Sequence, residues 1–425
     1  MNPALYSLLV LTLFGFSPWL HARAPDSQIR IFLPKHRLDA SELALIVNDA
    51  DPLSIKISHY YRQRRHIPAD NIIHVRFKPG RQTLSAGRFR TLRQQVLAQL
   101  GNNIQAMALT WALPYRVDCM SITSAFALGF DRAYCSARTC AATRRSPYYN
   151  SRSVTPYSEL GLLPSMAIAA ADFKHARQLI DRGRSSDNTQ PGGTVYLVST
   201  SDKNRNVRAY HFKNIRDYFS PSIKIETVRT DFLRNRHDVL FYFTGLKKVP
   251  GLNTLAFLPG AIADHLTSAG GMLDGRSQMS SVRWLEAGAT GSYGTVVEPC
   301  NLPGKFPDPA IVIDAYTHGS TLTEAYWKSV QQPGEGIFIG EPLAAPFDGQ
   351  QIDVKQDRVI LKTRTLQPGL YRVFNAPEET GPYTAWRKLL EVHPHQRSFS
   401  LPRTDRPVYK IQPVAAGMQP VFGKL

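Results

Sequence analysis

The sequence predicts an α/β protein with a doubly wound, mainly parallel sheet, followed by a small C-terminal all-β domain. Three observations carry this. Between residues 40 and 345, short apolar runs alternate with stretches of helical periodicity, the pattern that parallel βαβ units impose. Beyond Pro346 the rhythm changes to short alternating runs separated by turn residues, as in a β-sandwich. Finally, 43% of the 425 residues are hydrophobic and 20% charged, with four cysteines; that composition fills about two or three cores and excludes a disordered chain, a coiled coil or a disulfide-knotted miniprotein.

The elements follow in order. Leu43 to Val47 reads as a buried strand, and Asp51-Pro52 supplies an N-cap and first-turn proline for a helix bearing Leu53, Ile57, Tyr60 and Tyr61, which Ile67-Pro68 stops. A second strand, Ile72 to Phe77, leads to a helix with Phe89, Leu92, Val96 and Leu100 on one face, closed by Gly101. A third strand spans Gln105 to Leu113, and residues 114–164 read as a long irregular excursion. Ser165 to Asp181 is predicted as a helix, with strands at Thr194 to Ser199, Ile223 to Val228, Val239 to Phe243, Thr254 to Leu258 and Thr290 to Val297. Helical stretches near Ser280 to Glu286 and Pro309 to Val330 complete a core of about six strands over residues 25–345. Residues 346–425 form the β domain, with strands at Arg358 to Thr363, Gly369 to Phe374, Leu389 to Val392, Ser398 to Leu401 and Val408 to Gln412.

Residues 1–24 read as an export signal: Ala4 to Leu20 is almost continuously apolar, and the small residues Ala22 and Ala24 follow. No later stretch has the ~18 apolar residues needed to span a bilayer, so a periplasmic or extracellular protein is expected. Cleavage removes Arg23 and lowers the net charge of +18 by one. Such a balance attracts anionic partners, and outside the cytoplasm these are lipid headgroups, acidic glycans and acidic proteins or peptides. No nucleic-acid-binding motif occurs, and the basic run Arg62 to Arg65 and residues Arg88, Arg90 and Arg93 fall on amphipathic helices whose solvated faces account for them.

In an oxidising compartment Cys119, Cys135, Cys140 and Cys300 favour two disulfides. Three pairings are open; Cys135 with Cys140 and Cys119 with Cys300 is the one the reading favours. The alternative makes Cys119 or Cys300 a thiolate nucleophile with His265 as base, oriented by Asp264. Metal-ligand spacing and phosphate-cradling glycine motifs are missing, so no metal or cofactor is expected. Ligands of doubly wound sheets gather at the C-terminal strand ends. That rule selects Asn48, Asp49, Asp51, Arg116, Thr200, Ser201, Asp202, Arg205, Asp264, His265, Thr267, Ser268 and Glu298, either as a polar cleft or as loops tied by ion pairs and caps.

Five segments, Asn48 to Pro52 with Tyr60-Tyr61, Pro114 to Thr123, Thr200 to Arg208, Asp264 to Ser268 and Gly288 to Pro299, together resemble an exported bacterial family of unassigned activity found in species with the exosortase protein-sorting system. The resemblance implies an envelope location and a link to sorting. A second, looser one is to the caspase-like fold of gingipain-type cysteine peptidases. There one strand ends in Gly-His, the next in the nucleophilic Cys, and a Gly-Glu-Ala helix and a Gly-Asp-Pro turn follow. Here Phe241 to Leu246 is similar to the histidine strand with Leu246 in place of His, Leu258 to Ala261 stands for the cysteine, and Thr323-Glu324-Ala325 and Gly340-Glu341-Pro342 are similar to the later landmarks. The expectation is a degenerate, non-catalytic envelope protein that binds peptide or acidic polymer. The rivals are an active cysteine hydrolase and a structural protein held by charge alone.

Overall fold

The computed structural model describes residues 28–136, 140–275 and 277–414, so the signal segment lies outside the described residues. The large sheet is built from β1 (Leu43–Asn48), β2 (Ile72–Val75), β3 (Ala106–Leu109), β4 (Ser165–Ala167), β5 (Thr194–Ser199), β6 (Lys224–Arg229), β7 (Arg236–Thr244), β8 (Leu255–His265), β9 (Gly291–Thr295) and β10 (Gly336–Gly340). Their spatial order is β6-β5-β7-β8-β9-β10-β4-β3-β1-β2. It is a large, mostly parallel sheet: β9 and β10 pair antiparallel, and Ile339 of β10 meets Ala167 of β4.

The ten strands exceed the six expected, for local reasons. β4 has three residues, all buried, and the Ala-rich run after it reads as continuous with the next helix, so the helix predicted from Ser165 starts at Phe173. β10 lies between two glycines and shows no alternation because both of its faces are covered. β8 runs on through Pro259-Gly260 to His265, where Gly260 adopts φ +87°.

Helix α1 (Pro52–Arg65) begins as expected: the Asp51 carboxylate accepts from Leu53 N–H. Along the chain follow α2 (Ala86–Leu97), α3 (Ile122–Leu128), α4 (Phe173–Ser186), α5 (Phe212–Phe219), α6 (Val282–Ala287), α7 (Pro309–Thr317) and α8 (Leu322–Ser329). α3 is buried at six of its seven residues, so the excursion at 114–164 contributes to the core. Both faces of the sheet are covered. Val195, Leu197, Phe241 and Phe243 pack into one apolar cluster, and Tyr196, Val198 and Tyr242 into another, as the period of two requires.

Buried ions join the parts. Arg65 at the end of α1 donates Nε to Glu341 Oε1 at 2.8 Å and also bonds Glu341 Oε2 and Asp187. Lys305 pairs with Glu335 at 2.9 Å, both inaccessible.

The C-terminal part is two small sheets around one core. Gln350–Val354, Arg358–Thr363 and Ser398–Pro402 form an antiparallel sheet, and Gly369–Ala376, Thr384–Ala385, Leu390–Val392 and Val408–Pro413 belong to the other. Val359, Leu361 and Phe399 from the first pack with Val373, Tyr409 and Ile411 from the second. One departure concerns the N-terminal side: the sequence pattern places residues from 25 onward in the α/β core, whereas Arg30–Phe32 pairs parallel with Val408–Pro413 in this sheet.

Candidate functional site

At the end of β8, Asp264 and His265 are strand residues and face opposite ways. Asp264 is 1% exposed and pairs with Arg208 at 2.7 Å; burial pushes its carboxyl up against the opposing pull of that guanidinium. His265 is equally buried. Trp284 Nε1–H donates to its Nδ1 at 2.9 Å, so Nε2 carries the proton and donates to the Met279 carbonyl at 3.1 Å. Both ring nitrogens are consumed, and burial lowers its pKa to about 3. A histidine so held is a poor general base, and Asp264 does not orient it.

The cysteines are joined as Cys119–Cys135 and Cys140–Cys300, not as Cys135–Cys140 and Cys119–Cys300. Spacing carries no information on this choice; α3 and the 3-10 turn at Arg132–Tyr134 bring Cys135 back beside Cys119. With both candidate sulfurs bonded, Cys119 and Cys300 offer no thiolate, and the dyad with His265 is not assembled. The strand-end landmark also moves. Leu258 to Ala261 lies inside β8, and the residues following its end are Leu266, Thr267 and Ser268. Beside them, Gly245 and Leu246 follow β7.

The remaining polar residues at this end tie loops together. Thr200 Oγ1 donates to the Gly245 carbonyl at 2.6 Å, Ser201 bonds Asp231 through N–H and hydroxyl, and Asp202 pairs with Arg205 at 2.9 Å. Arg205 Nε reaches Thr267 Oγ1 at 3.0 Å, which in turn donates to Gln278 at 2.6 Å. A Cβ on Gly245 would lie 1.9 Å from the Arg205 carbonyl oxygen, so the loops touch through backbone. The Ser268 carbonyl accepts from Thr295, and Glu298, exposed, accepts from Cys300 N–H.

The first four strands end differently. Asn48 clamps Phe77, accepting from its N–H and donating to its carbonyl, each at 3.1 Å. Asp49 contacts His74 at 2.7 Å, and Arg116 donates to Thr83 at 2.7 Å. Asp51, the cap of α1, lines a cavity of about 420 Å³ with Trp111 and Leu113 after β3, Ala170 after β4, and Leu273, Asp274 and Glu286 beyond β8. Trp111 is 2% exposed, and its Nε1–H has no hydrogen-bond partner among the described residues. An unpaired buried donor is costly.

Of the expected set only Asp51 lines this cavity. Trp111, Asp274 and Glu286 were missed. Trp111 is recoverable from sequence: it is the second residue past the end of β3, inside the apolar run to Leu113 that reads as strand. Asp274 and Glu286 carried no signal, because their approach depends on the loop after β8 folding back, held by Gln82 donating to Asp274 at 2.9 Å.

Among the described residues no three His, Cys, Asp or Glu side chains gather as a metal group, and no helix is long and apolar enough to cross a membrane. The two disulfides are compatible with export. No family model matches the chain, and no curated protein matches it. The exosortase-associated resemblance therefore stands on its motifs alone. A solved chain described as "Structure of Protease" is similar in structure, with a TM-score of 0.39 and 8% identity over 86% of this chain and 97% of that one; at that score it carries no argument about activity.

Proposed function

We propose that the protein is an exported binding protein, built on a caspase-like frame without a working dyad, that holds a peptide by a basic side chain in the cavity at the ends of β1, β3 and β4. The observation that carries this is the cavity itself: about 420 Å³, with the carboxylates of Asp51, Asp274 and Glu286 around an apolar lining that includes Leu113, Ala170 and the unpaired indole of Trp111. A lysine or arginine suits such a lining, its stem against the apolar wall and its cation toward the acids. The three acids disfavour an acidic polymer here, which narrows the ligand to the peptide.

The degenerate reading is supported by Leu246 after β7, by the buried, doubly bonded His265, and by four oxidised cysteines. The two later landmarks have structural roles: Glu324 closes the capping box of α8, and Glu341 takes the Arg65 guanidinium. A link to exosortase sorting would give such a binder envelope proteins as its peptide source.

Calorimetry with blocked pentapeptides, identical except for a central Arg or Glu, tests the assignment. The Arg peptide is expected to bind, and Asp274→Asn with Glu286→Gln to weaken it about tenfold or more. Equal binding of the Glu peptide, or an unchanged affinity in the double variant, overturns it.

A further inference from the structure

A second, larger cavity lies between the segment that leaves β2 and the first turns of α2. It measures about 760 Å³ and is lined by Arg76, Lys78, Arg81 and Arg88, with no acidic side chain on its wall. None of these four cations is ion-paired with a described residue, although the molecule has many surface pairs elsewhere. Like charges held around one concavity repel unless a ligand neutralises them.

Three properties select the ligand. The cavity is far larger than one phosphate and four cations line it, which suits a ligand with several separated charges. Three of the four are arginines, whose planar forks match carboxylate or phosphate oxygens. The rest of the wall alternates hydrogen-bonding groups, such as Thr91 and Gln95, with the apolar faces of Phe77 and Leu92, which suits a ring that bears hydroxyls on its edge and C–H on its face. A membrane surface is disfavoured: among the described residues the exposed large hydrophobics are Phe32, Tyr157, Tyr210, Val354 and Leu370, none of which lines this cavity.

We propose that this cavity binds a segment of acidic polysaccharide, its uronate carboxylates held by Arg76, Lys78, Arg81 and Arg88. The site is separate from the peptide cavity and does not depend on that assignment.

The test uses the full mature chain and a hexamer of galacturonic acid in calorimetry at low and at physiological salt. Binding is expected, weakening with salt, and Arg81→Gln with Arg88→Gln should reduce it tenfold or more. Arg62→Gln with Arg177→Gln, exposed residues away from the cavity, removes the same charge and should change it less than twofold. Parallel arms use inorganic phosphate, phosphatidylglycerol vesicles and a hexaglutamate peptide. No binding of the hexamer, tighter binding of any of the other three, or equal losses in the two double variants overturns the proposal.

Discussion

Burial lowers the pKa of His265 from an ordinary value of 6.5 to about 3. Below pH 6.5 the unfolded chain takes up a proton at this ring while the folded chain does not, so stability present above that pH is lost progressively as pH falls toward 3. From pH 8 to pH 5 the linkage amounts to about 2 kcal/mol, since each unit of pKa difference is worth about 1.4 kcal/mol. Urea unfolding at the two pH values, compared between the native protein and His265→Gln, isolates this group, because every other titration is common to both. The native protein should lose about 2 kcal/mol more than the variant. Histidine resonances give a second readout that needs no variant: one ring should stay neutral at pH 5. Parallel pH dependences, or a His265 ring that titrates near 6.5, would refute the reasoning and reopen its candidacy as a base.

Peptide mapping without reduction should recover Cys119 joined to Cys135 and Cys140 joined to Cys300, and no thiol should react in the denatured, unreduced protein. Replacing Cys140 and Cys300 by Ser opens a loop of 160 residues and should cost up to about 5 kcal/mol on chain-entropy grounds, read from the denaturant midpoint. Arg65→Ala strands Glu341, which is inaccessible, and should cost about 3–5 kcal/mol; Arg65→Met with Glu341→Leu should recover part of that loss.

What the sequence made legible were elements with local punctuation. Asp51-Pro52 fixed the start of α1, and alternation fixed the C-terminal strands. The missed elements are those whose environment, not their own sequence, makes them regular. Ser165–Ala167 becomes a strand because β3 offers it a free edge, and Ile122–Leu128 becomes a buried helix although its Ser and Thr residues read as loop. The site follows the same division. Strand ends could be listed one by one, but which of them face a common space depends on tertiary closure. His265 and Asp264, adjacent to a small-residue loop, suggest a ligand site; the strand running on seven residues past Leu258, to His265, makes them core instead.

The two proposed sites are adjacent. Arg76, Phe77, Lys78 and Arg81 line the basic cavity, Pro79 and Gly80 line the acidic one, and Phe77 packs edge-on against Trp111 at 5.0 Å. One short segment is thus the wall between them, and its anchor is the Asn48 side chain, which holds Phe77 through N–H and carbonyl and also accepts from Ala50 N–H at 3.2 Å. Asn48→Ala removes three hydrogen bonds at a buried position and should cost about 2–3 kcal/mol in stability. The informative result is at the ligands: Asn48 lines neither cavity, yet the Arg peptide and the galacturonate hexamer should both bind several-fold more weakly if the wall positions both sets of side chains. Asn48→Asp, which retains the acceptor and loses the donor, should fall between the two. A variant that is destabilised but binds both ligands normally would show that the cavities are held independently, and that the segment between them is a spacer and not a shared wall.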